Sequence, residues 1–187
     1  EFVEPREIPM RLAYFSPLNP VPSGISDYSE DLLPYLAAYG DIDLFIDEGY
    51  KPTNPDIVAN FRLLPAKRYA GMLRRPGYDA TLYHVGNSPA HDYILSSLEQ
   101  HPGVVILHDF VIHHLVLWRS FRHGDGMAYH DAMVRYGEAA WKLALRVMRG
   151  QLSEEVFQYP RCEEVIGRAT AVIVHSDYVA GQVREHF

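Results

Sequence analysis

Four apolar residues in succession, Val104-Val105-Ile106-Leu107, run directly into His108 and Asp109. An unbroken run of β-branched and aliphatic residues suits a strand buried on both faces, as in a parallel sheet covered by helices. The pattern recurs in Leu82-Tyr83-His84-Val85-Gly86-Asn87 and in Val172-Ile173-Val174-His175-Ser176-Asp177, each passing from apolar strand to polar loop with a histidine at the edge. Residues 11–16 give a first strand, 43–46 a second and 61–64 a third, shorter one. Residues 81–85, 104–107 and 171–174 give three more.

Helical periodicity fills the intervals. Three prolines, Pro17, Pro20 and Pro22, follow the first strand, and Ser23-Gly24 opens a helix with Ile25, Tyr28, Leu32 and Leu36 on one stripe. Asp27 with Glu30 has the form of a capping box. Pro34 disturbs the end of that helix and Gly40 stops it. Residues 49–60 read as turns and 68–74 as a short helix. Pro89 begins a helix to about residue 100. A long interval separates the fifth strand from the sixth and reads as helical throughout. Within it, Met133, Gly137, Ala140, Ala144 and Val147 form a packing stripe over residues 127–149, widened by Trp141, Leu145 and Met148. A last helix covers 178–186. Strand and helix in alternation predict an α/β fold: a three-layer, Rossmann-like, doubly wound and mostly parallel sheet, with a helical insertion between the fifth and sixth strands.

Composition narrows the function classes. The chain has 187 residues, 48% hydrophobic and 22% charged, with a formal net charge of −7. No basic stripe is present, so nucleic acid is not an expected partner. Lys67-Arg68 and Arg74-Arg75 read as solvated surface. One cysteine, Cys162, excludes an internal disulfide and a Cys-based zinc site, and fits a reducing cytoplasm with the thiol half-buried on a helix. No apolar run reaches the length of a bilayer span, and no basic amphipathic helix supports membrane association. Residues 1–9 read as a linker or extension before a domain spanning 10–187. Phe187 closes a helix-like segment without a stop signal, so the chain is expected to be a piece of a longer protein.

In open α/β sheets, polar groups at the carboxyl ends of strands line the ligand crevice. Gly24 at the first helix allows backbone N–H groups to approach a phosphate, although Pro22-Ser23-Gly24-Ile25 lacks the further glycines of a dinucleotide fingerprint. Gly86 and Asn87 place bare backbone and an amide at the same edge. Asn87 is equally a cap for the next helix, and His84 equally a hydrogen-bonded core residue. His108 is read as facing the crevice, where a neutral imidazole can donate to a hydroxyl or carbonyl, with Asp109 capping the following helix. Asp109, His113 and His114 add a metal-ligand reading with His108, supported by i,i+4 spacing between Asp109 and His113. Ser176 or Asp177 caps the last helix.

Taken in order, Leu12-Ala13-Tyr14-Phe15-Ser16-Pro17-Leu18, Ser23-Gly24-Ile25-Ser26-Asp27-Tyr28-Ser29, Tyr83-His84-Val85-Gly86-Asn87-Ser88, Val104-Val105-Ile106-Leu107-His108-Asp109 and Val172-Ile173-Val174-His175-Ser176 resemble the retaining GT-B glycosyltransferases of the group 1 (family 4) class. The resemblance covers residues 10–187 and implies the amino-terminal, acceptor-side half of a two-domain enzyme. Such enzymes move a hexose from a nucleotide-sugar to a hydroxyl acceptor with retention, without a metal or other cofactor. By this resemblance Gly24 approaches the donor diphosphate, His108 contacts the transferred sugar, Asp109 orients or caps beside it, and Ser176 lies near the interdomain cleft. The family's basic nucleotide-gripping residues and paired glutamates belong to a carboxyl-terminal donor domain that these 187 residues do not contain. The fragment alone is therefore expected to be inactive. Two other readings stand beside it: a metal-dependent hydrolase using His108, Asp109, His113 and His114, and a non-catalytic Rossmann-like binding domain.

Overall fold

In a computed structural model of the chain, which describes residues 10–74, 77–122, 124–151 and 153–186, six parallel strands form one sheet. The strands are β1 (Met10–Phe15), β2 (Gly40–Ile46), β3 (Arg62–Pro65), β4 (Ala80–Val85), β5 (Val104–Leu107) and β6 (Ala171–Val174), in the order β3-β2-β1-β4-β5-β6. This is the doubly wound order in which the strand sequence reverses between β1 and β4, opening a crevice at their carboxyl ends. The expectations for residues 1–9, for Arg75 and for Phe187 fall outside the described residues.

Helices lie on both faces. On one face α1 (Gly24–Leu36) and α2 (Pro55–Asn60) cover Leu12, Tyr14, Ile42, Leu44 and Ile46. On the other, α3 (Tyr69–Met72), α4 (Asp92–Gln100), α8 (Glu163–Arg168) and α9 (Asp177–His186) pack on Ala13, Phe15, Phe45, Tyr83, Val85, Val105 and Leu107. The insertion between β5 and β6 comprises α5 (His113–Arg122), α6 (Gly126–Val134), α7 (Glu138–Met148), a 3-10 segment at Glu154–Gln158, and α8. Tyr129, Met133, Ala140, Leu143, Ala144, Val147 and Val156 form a small core of its own there. Among the described residues no helix is long and apolar enough to cross a membrane.

Local chemistry departs from the pattern reading at several points. The cap of α1 is Ser23, whose Oγ accepts from the Ile25 N–H at 3.2 Å; Asp27 is inside the helix and forms no capping box. The buried face of α1 is Ser26, Ser29, Glu30 and Leu33 rather than the apolar stripe through Tyr28 and Leu32. Gly40 does not stop α1, which ends at Leu36 shortly after Pro34; it begins β2 opposite Met10. The region expected to be turns contains α2, opened by Asn54 as cap and Pro55 at its first position. Residues 68–74 resolve into a 3-10 turn at Ala66–Arg68 followed by α3. The stripe over 127–149 is two helices, because Gly137 takes φ 92°, where a helix cannot continue. Cys162 is fully buried at the cap position of α8.

One carboxylate anchors the loop that leads into α1. Glu30, 8% exposed, accepts from the Asn19 backbone N–H at 2.7 Å, from Asn19 Nδ2 at 3.2 Å and from Asn54 Nδ2 at 2.7 Å. It thereby joins the proline-rich β1–α1 loop to the cap of α2. Charged acceptors make stronger bonds than neutral ones, and buried donors left without an acceptor are costly. Glu30→Ala is expected to lower stability by about 3 kcal/mol in urea denaturation. A loss within the ordinary surface range of about 0.5 kcal/mol would show that the loop is held otherwise.

Candidate functional site

Strand parity determines which side chains reach the crevice. Tyr83 and Val85, Val105 and Leu107, and Val172 and Val174 belong to the α4 side of the sheet. The intervening residues of β4, β5 and β6 therefore point to the α1 side, as do His108 and His175 just beyond their strand ends. His84 pairs in register with Ile106, and Ile106 with Ile173, so the imidazoles of His84, His108 and His175 form a row across three adjacent strands. The His84 and His108 rings are 5.2 Å apart and those of His108 and His175 4.7 Å. Tyr28, from α1, meets His108 edge to face at 4.9 Å and His175 at 5.2 Å, and remains 38% exposed. Tyr14 on β1 closes the inner end, 4.5 Å from His84.

Hydrogen bonds assign the protons. His91 Nδ1 lies 2.9 Å from the His84 carbonyl oxygen, so it carries the proton and leaves Nε2 as a bare, buried lone pair. His84 Nδ1 and His108 Nε2 are 2.9 Å apart, and His84 Nε2 is buried without a partner. Orphaned buried N–H groups are rarer than orphaned lone pairs. His84 therefore donates from Nδ1, and His108 accepts at Nε2 and presents its own proton on Nδ1, at the ring edge away from His84. Burial, reinforced by the neighbouring histidines, pushes His108 down to about 4 and His84 well below its ordinary value. Both are neutral near pH 7. A base so weak abstracts protons poorly at neutrality, so His108 acts as a neutral hydrogen-bond donor.

Gly86 ends β4 in contact with three neighbours. A side chain there would meet Ile25 Cδ1 at 2.3 Å, His91 Nε2 at 3.0 Å and Asp109 Oδ2 at 3.2 Å. A larger residue there would have to displace the Ile25 side chain and crowd His91 and Asp109. Gly24, in contrast, has open space where a Cβ would stand, at the first turn of α1. Asp109 does not cap a helix: its Oδ2 accepts from the Asn87 N–H at 2.8 Å and so ties the ends of β4 and β5 together. Asn87 caps α5 rather than the helix after β4, with Oδ1 accepting from the Leu115 N–H at 3.1 Å and Nδ2 3.2 Å from His114 Nδ1. Ser176 caps α9 as expected, accepting from the Val179 N–H at 3.2 Å.

The structure thus brings His84, Gly86, Asn87, His108 and Asp109 to one edge, with His175 and Tyr28 beside His108. The ligand set with His113 does not assemble. Helix α5 begins at His113, so Asp109 precedes it and shares no helical face with it. His113 is buried, its Nδ1 facing the Tyr159 carbonyl at 2.9 Å and its Nε2 facing the Tyr129 hydroxyl at 2.8 Å, which leaves no lone pair for a metal. Among the described residues no group of three or more His, Cys, Asp or Glu side chains is placed to hold a metal ion. Comparison of the chain with protein-family models, with curated proteins and with solved structures finds no match.

Tyr28 and His91 are the site residues that the pattern reading missed. Tyr28 was assigned to a packing stripe, although it stands one turn inside a helix that opens at the crevice. His91 follows Pro89 in a 3-10 turn that hydropathy does not reveal.

Three buried histidines, His84, His91 and His113, and the half-buried His108 have values held below the ordinary one, chiefly by burial. The unfolded chain binds their protons near pH 6.5, whereas the native protein does not. Their contribution is thus present above pH 6.5 and is lost as pH falls toward 4. The thermal midpoint is expected to be level from pH 8 to 7 and to drop between about 6.5 and 5, above the main carboxylate range. A midpoint unchanged from pH 7 to 5 would contradict neutral burial.

Proposed function

We propose that this chain is the acceptor-side half of a retaining GT-B glycosyltransferase, which moves a hexose from a nucleotide-sugar to a hydroxyl acceptor. The observation that carries this reading is the row of flat rings at the carboxyl edge, Tyr28, His108 and His175, beside the first turn of α1 at Gly24. A pyranose has an apolar C–H face and a rim of hydroxyls. Ring faces with a few directed donors match that chemistry, in the way small-molecule sites combine apolar walls with a few placed polar groups.

Each group then has a part in transfer. The N–H of His108, free on Nδ1, holds a sugar hydroxyl and fixes the reacting carbon relative to the acceptor. The leaving diphosphate approaches the positive end of α1, where Gly24 puts no side chain in the way. Negative charge on the leaving group grows in the transition state, so a helix terminus favours that state over the bound donor. Asp109 and Gly86 position: the carboxylate fixes the Asn87 backbone and Asn87 in turn fixes α5. A second α/β domain supplies the nucleotide-gripping groups, and closure of the two halves excludes water from the activated sugar.

The test uses the full-length gene product with a panel of nucleotide-sugars, reading release of nucleoside diphosphate and the anomer formed by NMR. Turnover with retention is expected. His108→Ala is expected to lower kcat on the order of 100-fold, the range for loss of one directed donor, well beyond the moderate fall in melting temperature caused by a His84 N–H left without its acceptor. No turnover of any nucleotide-sugar, or full activity in a folded His108→Ala protein, would sink the proposal.

A further inference from the structure

A half-open cavity of about 300 Å³ lies on the side of the sheet away from the histidine row, between α4, α5, α6 and α8. Leu95, Leu98, Val116 and Val165 form its apolar wall. Its charged groups are solvent-exposed or ion-paired, with one exception. Arg119 bonds Glu99 at 2.7 Å and Asp92 at 2.6 Å, Arg168 donates to the Glu99 carbonyl at 2.9 Å, Asp125 caps α6, and Glu164 pairs with Arg135 at 3.5 Å.

The exception is Arg161. It lines the cavity and is only 7% exposed, yet among the described residues no carboxylate lies within 4.0 Å of its guanidinium. Its Nε is buried without an acceptor, Nη1 has a long bond, 3.4 Å, to the Ala132 carbonyl, and the guanidinium stands over the Tyr136 ring at 5.9 Å, a contact that carries no counter-charge. A guanidinium withdrawn from water normally meets a counter-charge. The backbone adds to the anomaly, since Arg161 has φ 62°, a conformation that side-chain-bearing residues avoid. Neighbouring bonds impose it: the Pro160 carbonyl accepts from the Ile112 N–H at 2.8 Å, and the Tyr159 carbonyl receives His113 Nδ1 at 2.9 Å. Strain held in this way marks positions where a side chain must be delivered to a particular place.

We propose that this cavity is a second binding site, for a small organic monoanion whose carboxylate meets Arg161 while an apolar body lies on Leu95, Leu98, Val116 and Val165. Arg161 is the buried cation of a lining that also carries the carboxylates of Glu99, Asp125 and Glu164, and that acidic surround favours a monoanion over a phosphate dianion. A planar carboxylate also matches the guanidinium geometry. The site is independent of the sugar-transfer reading.

Calorimetric titration of the full-length protein tests it, with benzoate and 3-phenylpropionate as carboxylate probes, benzyl alcohol as the uncharged control and phenyl phosphate as the dianion. At least one carboxylate is expected to bind tenfold or more tighter than benzyl alcohol and tighter than phenyl phosphate. Arg161→Met removes that difference. Ala128→Phe, which fills the rim with Arg161 intact, also abolishes binding and serves if Arg161→Met does not fold. Arg161→Gly, relieved of the left-handed backbone, melts no lower than the native protein and does not bind the carboxylate. Carboxylates binding no better than the alcohol, phenyl phosphate binding more tightly than either carboxylate, or undiminished binding in both Arg161→Met and Ala128→Phe would overturn the assignment.

Discussion

A side chain's face in a sheet is fixed by parity, and parity here separates the core from the chemistry. Tyr83, Val85, Leu107 and Val174 fill the side packed by α4 and α8, while His84, His108 and His175 take the alternate positions. A slip of one residue in β4, β5 or β6 would push an imidazole into the apolar core and turn a valine or leucine toward the crevice. Such a slip is opposed by every apolar residue on the buried side at once. The histidine row is thus aligned by hydrophobic burial of adjacent residues on the opposite face, and the strands need no bonds between imidazoles to bring it into line.

Burial has a second consequence at the same place. His84 and His91 are sealed from water, so their charged forms are disfavoured and their protons are assigned by the groups they face. The assignment propagates outward. The His84 carbonyl fixes His91, the orphaned His84 Nε2 fixes His84, and His84 fixes His108. His108 is therefore a donor of known direction. That favours recognition of a hydroxyl and disfavours proton abstraction, a distinction that the residue types alone do not make. Glu30 completes the site from the other side by holding the loop that delivers Tyr28 and Gly24 to the crevice.

The strands were the legible part of the fold, because an apolar run buried on both faces looks unlike anything else in the chain. β5 is such a run, whereas β6 at the sheet edge leaves Ile173 half-exposed; both fall within the residues that hydropathy marks, and parallel pairing follows from their alternation with helices. Helices were legible where they are long and amphipathic and misread where polar chemistry decides. α1 buries Ser26, Ser29 and Glu30 because these groups bond the Val21 carbonyl, the Ser16 hydroxyl and the Asn19 N–H of the adjacent loop, so its apolar stripe points elsewhere. α2 escaped notice because it is one turn and a half long and buries a single residue, Ile57. Gly137 looked like a small residue in a stripe, but its positive φ divides two helices. At the site, the individual residues were legible and their partners were not. Asn87 and Asp109 read as caps for the helices that follow them, and instead each reaches across to a neighbouring strand or helix. Bonds between residues more than 20 positions apart leave no local periodicity.

The insertion between β5 and β6 links the two faces of the sheet through one element. The first turn of α5 is held by Asn87 at the crevice, and its later residues Val116, Arg119 and Ser120 line the cavity beside Arg161. Arg119 further fastens α5 to α4 through Glu99 and Asp92, so a displacement of one helix strains its ion pairs to the other. A molecule in the cavity bears on that helix pair, and so does a molecule that displaces Asn87. Any free energy exchanged between the two is equal in both directions. The chain can carry such coupling only if α5 has two arrangements of similar energy. The bond from Asn87 to Leu115 is the contact that would distinguish them.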